Sequence, residues 1–538
     1  MIDVIIIGSG PSGAIAAKRL VQSGLKIATL DVGDDDTKYR DKIPDKSLSE
    51  IRNEEVDQSR YFLGENLEGI PIGNVRVGSQ LTPPRQFINS LADKLLPLES
   101  SNFFPLQSLA LGGIGAGWGE ASFTFSQEEL RKIGIEDEKF INYYEKVAEW
   151  IGISANLQDD AAPFLMQCKK NILGPLNMDK NSSSIYSQYK ARAEWFRNKG
   201  FYMGSTPLAI LSEDYAGRKA NPYYDMDFYS DVRKANFRPR YIIDELKSKK
   251  NYTYIKNALV MSFKEKERSV EVMYKNTITN KIEKVKAKRL MLCAGAINSS
   301  RIALRSLNLF EEKTPILCSP YTYIPMINLK MLGRNDDGRR HSLSQLSGFY
   351  ATKVGEVDGA SVQFYSYKSL MLFKLIKEIP LPIYASKQIV RLLVNSISIA
   401  GIFFPDYYSD KNWLILKPSS SPDENRLQAN FEFRYENDKK SIESNLLKIF
   451  FKLYCIPFAK ISPGNGSSIH YAGTIPYSGS GKPKRLSLSA DGRINSLKRV
   501  YVADSSGWKF LPAKGLTFTI MANALRTSEI VLKHCKHD

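Results

Sequence analysis

Ile2-Asp3-Val4-Ile5-Ile6-Ile7 runs directly into Gly8-Ser9-Gly10-Pro11-Ser12-Gly13, and a helix-period apolar stretch then leads to Ile27-Ala28-Thr29-Leu30-Asp31. The succession of strand, glycine turn, helix, second strand and acid is that of a dinucleotide-binding βαβ unit. Gly8 lets the chain turn off a buried strand, Gly10 lets the backbone approach a pyrophosphate, and Gly13 lets the helix over residues 14–23 pack on the sheet. Pro11 and Ser12 open that helix, whose free N–H groups then face the phosphates. Asp31 follows Gly8 by 23 residues. It stands at the tip of the second strand, where a carboxylate bonds both hydroxyls of an adenosine ribose.

A second glycine-rich loop, Gly112-Gly113-Ile114-Gly115-Ala116-Gly117-Trp118-Gly119, holds five glycines in eight residues. Flexible linkers rarely contain Ile and Trp, so this loop reads as one lying against a ligand. Residues 128–151 have the apolar spacing of a helix that closes the first block. Further on, 240–246 reads as a short helix, and 252–260 and 269–274 read as strands followed by a charged turn. Arg289-Leu290-Met291-Leu292-Cys293-Ala294-Gly295-Ala296 is a buried strand ending on small residues, with a helix over 298–307 behind it. Strands at 321–329, 361–367, 413–417 and 427–435 predict an antiparallel sheet, and Pro325 predicts an edge position for the first of them. The last eighty residues return to the opening character. They hold a Gly/Ser-rich loop with His470, a strand over 499–504 ending in Asp504, and a final helix over 517–533.

This pattern predicts an α/β chain: a Rossmann-like domain from 1–155, 230–309 and 461–538, and a second, α+β substrate domain from 156–229 and 310–460, built on an antiparallel sheet. A length of 538 residues suits two cores. The opening apolar run lacks a basic flank and breaks at a glycine turn after six residues, so it reads as a buried strand of a cytoplasmic protein. Five widely spaced cysteines without a CxxC pair fit reduced thiols and argue against a disulfide scaffold or zinc site. The net charge of +18 raises nucleic acid, an anionic membrane surface or an acidic substrate as partners. No nucleic-acid motif accompanies the charge, so no nucleic-acid partner is expected. In residues 370–404, Lys374, Lys377, Lys387 and Arg391 interrupt an apolar stretch too often for a bilayer span. The segment reads as a helix over a core or entrance, with peripheral contact at the inner membrane face kept as the alternative.

Segments in four regions of the chain resemble the flavin-dependent glucose–methanol–choline (GMC) oxidoreductases. Gly8 to Gly13 with Asp31 matches the FAD fingerprint, although the family more often carries glutamate at the acid's place. The Gly112-Gly113 through Trp118-Gly119 loop resembles the branch of gluconate dehydrogenase flavoproteins and pyranose oxidases, in which such a loop lies along the flavin. Ala294-Gly295-Ala296 resembles the family's strand-end AGA. His470-Tyr471-Ala472-Gly473-Thr474, Val502-Ala503-Asp504-Ser505-Ser506 and the helix begun by Leu516 and Thr517 resemble the C-terminal motifs. The resemblance implies that FAD contacts Gly8, Gly10, Pro11, Ser12, Gly13, Asp31, Gly112, Gly113, Gly117, Trp118, Val260, Ala294, Gly295, Asp504, Ser505, Leu516 and Thr517. The loop has no histidine or cysteine to tether a flavin, so noncovalent FAD is expected.

The same resemblance gives His470 the catalytic post beside the flavin. An imidazole suits it, because alcohol oxidation must remove an O–H proton while hydride leaves carbon. Where the family places a second histidine or asparagine, this chain has Gly515, with Lys514 adjacent as a substitute donor. The expected activity is oxidation of a CH–OH group in a sugar or sugar-like alcohol, anionic if the cationic surface is functional. The electron acceptor is left open. Gly515 keeps a non-redox flavoprotein, lyase- or mutase-like, as the alternative, and a membrane-surface scaffold with a degenerate cofactor fold is the third reading.

Overall fold

The computed structural model describes residues 1–69, 82–336, 338–366, 381–419, 426–479 and 484–536. Five parallel strands lie side by side in the order Tyr252–Ile255, Ile27–Leu30, Ile2–Ile7, Ile282–Leu292 and Val500–Val502. Their middle members are apolar and buried without alternation, as parallel strands covered on both faces must be. The helix Pro11–Gln22 packs against Pro239–Leu246 and the terminal helix Thr517–Cys535, while Ala296–Ser306 packs on the strand Ala258–Lys266.

One strand does two jobs. The first half of Ile282–Leu292 alternates exposed and half-buried residues, and it pairs antiparallel with Ser269–Asn276, the partner of Ala258–Lys266. Its second half, Arg289 to Leu292, is wholly buried between Ile2–Ile7 and Val500–Val502. That half delivers Cys293 and Ala294 to the same sheet edge as Gly8.

The second domain holds a six-stranded antiparallel sheet in the order Cys455–Pro457, Tyr321–Asn328, Ile397–Phe403, Ala360–Ser366, Leu346–Tyr350 and Phe201–Ser205. One face buries Ile324, Met326, Val362, Phe364, Ala400 and Ile402 under the helices Lys180–Lys190 and Glu436–Lys452. The other face looks back toward the Rossmann-like domain. The fold is therefore α/β, with a Rossmann-like domain and a second domain on an antiparallel sheet.

Several sequence expectations are corrected in detail. Residues 127–151 form two helices, Gln127–Ile133 and Phe140–Ile151, because Gly134 adopts φ +98° and ends the first. Residues 252–266 form two strands, broken at Asn257, which has φ +61°. The strand with Pro325 is interior, since it pairs with both Ile397–Phe403 and Cys455–Pro457. Proline is tolerated because only its carbonyl is used on the Cys455 side, accepting from Phe458 N–H at 3.1 Å. Trp413–Leu416 and Leu427–Asn430 leave this sheet for a smaller one with Leu98–Glu99 and Thr314–Pro315. Of the apolar-basic segment at 370–404, residues 370–380 lie outside the described residues, Ile383–Leu393 is a helix and Ile397–Phe403 a strand. No helix among the described residues is long and apolar enough to cross a membrane.

Leu290 is fully buried at the junction of the two halves of the long strand. Leu290→Ala leaves a cavity between three parallel strands and should cost about 2–5 kcal/mol of unfolding free energy in a denaturant titration.

Candidate active site

The first cleft opens at the carboxyl ends of the parallel strands, where ligands of open α/β sheets bind. Gly8 leaves the strand with φ +96°, and a Cβ there would lie 2.7 Å from the carbonyl oxygen of Cys293. A Cβ on Gly13 would lie 1.9 Å from the carbonyl oxygen of Gly8. Both glycines are thus demanded by the protein's own backbone. Gly10 is different, because a Cβ there would meet no protein atom closer than 3.8 Å. No protein atom demands a glycine there, so its lack of a side chain leaves room for a ligand in front of it. The helix behind it starts at Pro11 without a side-chain cap, leaving its first N–H groups to that ligand.

Asp31 lies on the wall of this cleft. Its Oδ2 accepts from the Ser9 hydroxyl and from the Tyr254 hydroxyl at 3.1 Å, and Ser9 Oγ in turn accepts from Gly112 N–H at 2.9 Å. Burial pushes the carboxyl up to about 6, against the pull of these donors. The chain Asp31–Ser9–Gly112 links the two glycine-rich segments directly. Val260, Ala294, Gly295, Asp504, Ser505, Leu516 and Thr517 also line the cleft, as do Pro11, Ser12, Gly113 and Trp118. Asp504 acts as a clamp: its carboxylate accepts from Gly295 N–H at 2.9 Å, Ser299 Oγ at 2.5 Å and Ser506 N–H at 2.9 Å. The Ser505 hydroxyl is given to the Tyr471 carbonyl at 2.7 Å.

A second chamber, about 300 Å³, adjoins the cleft. One water needs only about 15 Å³ by this measure, so the chamber admits a small organic molecule. Leu106, Ile114, Trp118, Ile469, His470 and Thr517 line both spaces. Tyr321, Tyr323, Gln363 and Tyr365 come from the inner face of the antiparallel sheet, and Arg52, Asp225 and Arg340 from loops and a short helix. Arg340 is already bound to Asp225 at 2.6 Å.

His470 stacks on Phe403, ring centroids 5.0 Å apart and planes at 24°. Its Nδ1 is buried with no hydrogen-bond partner among the described residues. Burial lowers the imidazole to about 4, so the ring is neutral at neutral pH. The preceding residue, Ile469, has φ +62°, a left-handed conformation that a β-branched residue adopts only when its surroundings impose it. That turn sets His470 between the two spaces. Gly515 lines the chamber, and a Cβ there would stand 3.2 Å from the Ala121 carbonyl oxygen. Lys514 lines neither space: its ammonium is buried against Glu129 at 2.7 Å and the Thr124 carbonyl at 3.3 Å. The expected substitute donor therefore points elsewhere.

Sequence reading missed the anchor of the Trp118 loop. Arg238, fully buried, donates to the Trp118 carbonyl at 3.3 Å, pairs with Glu120, and reaches Asp231 at 3.3 Å. Asp231 also takes Arg85 at 2.6 Å, and Trp118 Nε1 donates to Phe237 O at 2.9 Å. Burial raises Glu120 while the facing guanidinium lowers it, and burial is the larger effect. Nothing local in the sequence signals this cluster, since the paired Arg85 and Asp231 lie 146 residues apart. Gly117 allows Ile88 to approach, as a Cβ would come within 2.4 Å of its Cδ1.

No protein-family model and no curated protein matches the chain. Solved structures do share its fold. An FAD-dependent oxidoreductase from Chaetomium thermophilum, in complex with a small-molecule fragment, aligns over 100% of both chains with a TM-score of 0.59 and 13% identity. Pyridoxine 4-oxidase from Mesorbium loti aligns over 100% of both chains with a TM-score of 0.55 and 12% identity. This chain thus has the two-domain fold of those FAD-dependent and oxidase structures.

The contrast between Gly10 and Gly13 is testable. Gly10→Ala should leave the unfolding midpoint of the ligand-free protein unchanged yet reduce the flavin recovered with it. Gly13→Ala should lower the midpoint itself, because its Cβ collides with backbone.

Proposed function

We propose that the chain is an FAD-dependent oxidoreductase that binds the flavin noncovalently and oxidises the CH–OH group of a sugar or sugar-like alcohol, with His470 accepting the hydroxyl proton. The observation that carries this reading is the position of His470 on the wall shared by the dinucleotide cleft and the chamber. Bound FAD supplies a hydride acceptor at that wall. The protein's own groups do the rest. Gly8, Gly10, Gly13 and the helix N-terminus behind them cradle the pyrophosphate, and Asp31 receives the adenosine ribose hydroxyls. Loop residues Gly112, Gly113 and Trp118 back the ring system.

In the chamber, the hydroxyls of Tyr321, Tyr323 and Tyr365, the Gln363 amide and aromatic faces offer a sugar both hydrogen bonds and apolar contact. Arg52 on the same wall would favour an anionic substrate. The neutral imidazole of His470 accepts the substrate proton, and negative charge growing on the substrate oxygen beside it raises its proton affinity as the proton moves. Cys293 lines the cleft, but burial pushes its thiol far above the ordinary value, which makes it a poor nucleophile for attaching a flavin. Acid precipitation should therefore release the flavin into the supernatant.

Anaerobic addition of sugars and polyols, neutral and phosphorylated, to the purified protein should bleach its visible flavin spectrum with at least one of them. His470→Ala should keep the oxidised spectrum and slow bleaching by about 10²–10⁴-fold. Failure of every alcohol to bleach a bound flavin would remove the CH–OH assignment.

His470 also couples to stability. Its pKa falls from 6.5 in an exposed chain to about 4 when buried. The unfolded chain therefore binds the extra proton first, and stability should fall as pH drops from 6.5 toward 4. Denaturant titrations across this window should show a shallower fall for His470→Ala than for the native chain.

A further inference from the structure

The helix Ile383–Leu393 buries only Ser386 and Val390 fully. Its exposed face carries Tyr384 at 74% and Leu392 at 61%, while Ile383 at 68% is its first residue, on the stripe of Val390, and Leu381 at 49% lies just before it. Lys387 and Arg391 share that face and are exposed. A contiguous exposed apolar patch is unusual on a water-facing helix, and among the described residues nothing covers these groups.

A second segment joins the patch. Gly333 N–H donates to the Leu392 carbonyl at 3.3 Å, and Asn395 Nδ2 donates to the Arg334 carbonyl at 3.0 Å. This brings exposed Leu329 and Leu332 beside the helix, together with exposed Lys330 and Arg334. Residues 381–395 and 329–334 contain no Asp or Glu. None of the four cations is paired with a carboxylate among the described residues.

We propose that this face docks the protein on an anionic lipid membrane surface, with Leu381, Ile383, Tyr384 and Leu392 entering the interface and the cations meeting lipid phosphates. Interfacial helices combine apolar insertion with electrostatic attraction in this way. Charge complementarity selects the occupant: the patch is cationic on a chain of net charge +18, so a second copy of it would meet like charge. Long Lys and Arg side chains let their apolar stems lie among the hydrophobic groups while the charged heads stay wet. The patch also stands at the end of the sheet reached by the chamber. Ser366, on the chamber wall, pairs with Ser398, two residues beyond Ser396, whose N–H closes the helix end on the Leu393 carbonyl.

Co-sedimentation of the full chain with vesicles of phosphatidylcholine, alone and mixed with phosphatidylglycerol, tests this. Binding is expected to the anionic vesicles, weaker with added salt, and much weaker to phosphatidylcholine alone. The double variants Ile383→Ser/Leu392→Ser and Lys387→Glu/Arg391→Glu should each lower vesicle affinity about tenfold or more while keeping the circular dichroism spectrum and melting temperature of the native chain. No binding of the native chain to anionic vesicles overturns the proposal, as does unchanged binding by both variants. A native dimer that Ile383→Ser/Leu392→Ser converts to monomer without lipid also overturns it and assigns the face to a second copy.

Discussion

The cleft depends on a contact between two stretches of backbone with no side chain between them. Gly13, in the first turn of its helix, sits so close to the carbonyl of Gly8 that a methyl group would overlap it, and Gly8 is itself pressed against Cys293 at the end of the neighbouring strand. These contacts draw the helix Pro11–Gln22 down onto the sheet and aim its uncapped N-terminus at the space in front of Gly10. The Ser9–Asp31 bond and the bond from Gly112 to Ser9 then tie the second strand and the Trp118 loop to the same point. Loosening the helix from the strand would misplace all three walls of the cleft together.

Around this rigid centre the protein accepts local cost for position. Ile469 holds a left-handed backbone, and His470 keeps a buried nitrogen without a partner among the described residues. Each is unfavourable alone. Together they set an imidazole, neutral because it is buried, on the one wall that faces both the cleft and the chamber. The Arg85–Asp231–Arg238–Glu120 cluster has a supporting role, since desolvated charges in such number persist only with several mutual hydrogen bonds. It holds the carbonyl of Trp118 and so fixes the partition between the two spaces.

The fold is legible in the sequence where one structural period or one glycine governs the outcome. The opening strand and turn, the strand into Ala294-Gly295, and the terminal helix carry unbroken apolar runs or helical spacing, and they fold as those patterns require. Strands such as Phe201–Ser205 and Leu346–Tyr350 escaped because they are short and mixed, and their apolar character shows only when cross-strand neighbours are in place. Pro325 misled for a related reason, because whether a missing N–H matters depends on which neighbour that residue faces.

By itself the sequence determined a Rossmann-like βαβ unit, because a strand, three glycines, a helix and an acid within about thirty residues leave few backbone solutions. It also marked His470 as a chemically useful residue in a loop. Only tertiary structure decided that His470 stands between two cavities, that Lys514 turns to Glu129, and that buried charges from three separate segments brace Trp118. These are contacts across long separations, set by how two sheets close on one another, and no local pattern of residues encodes them.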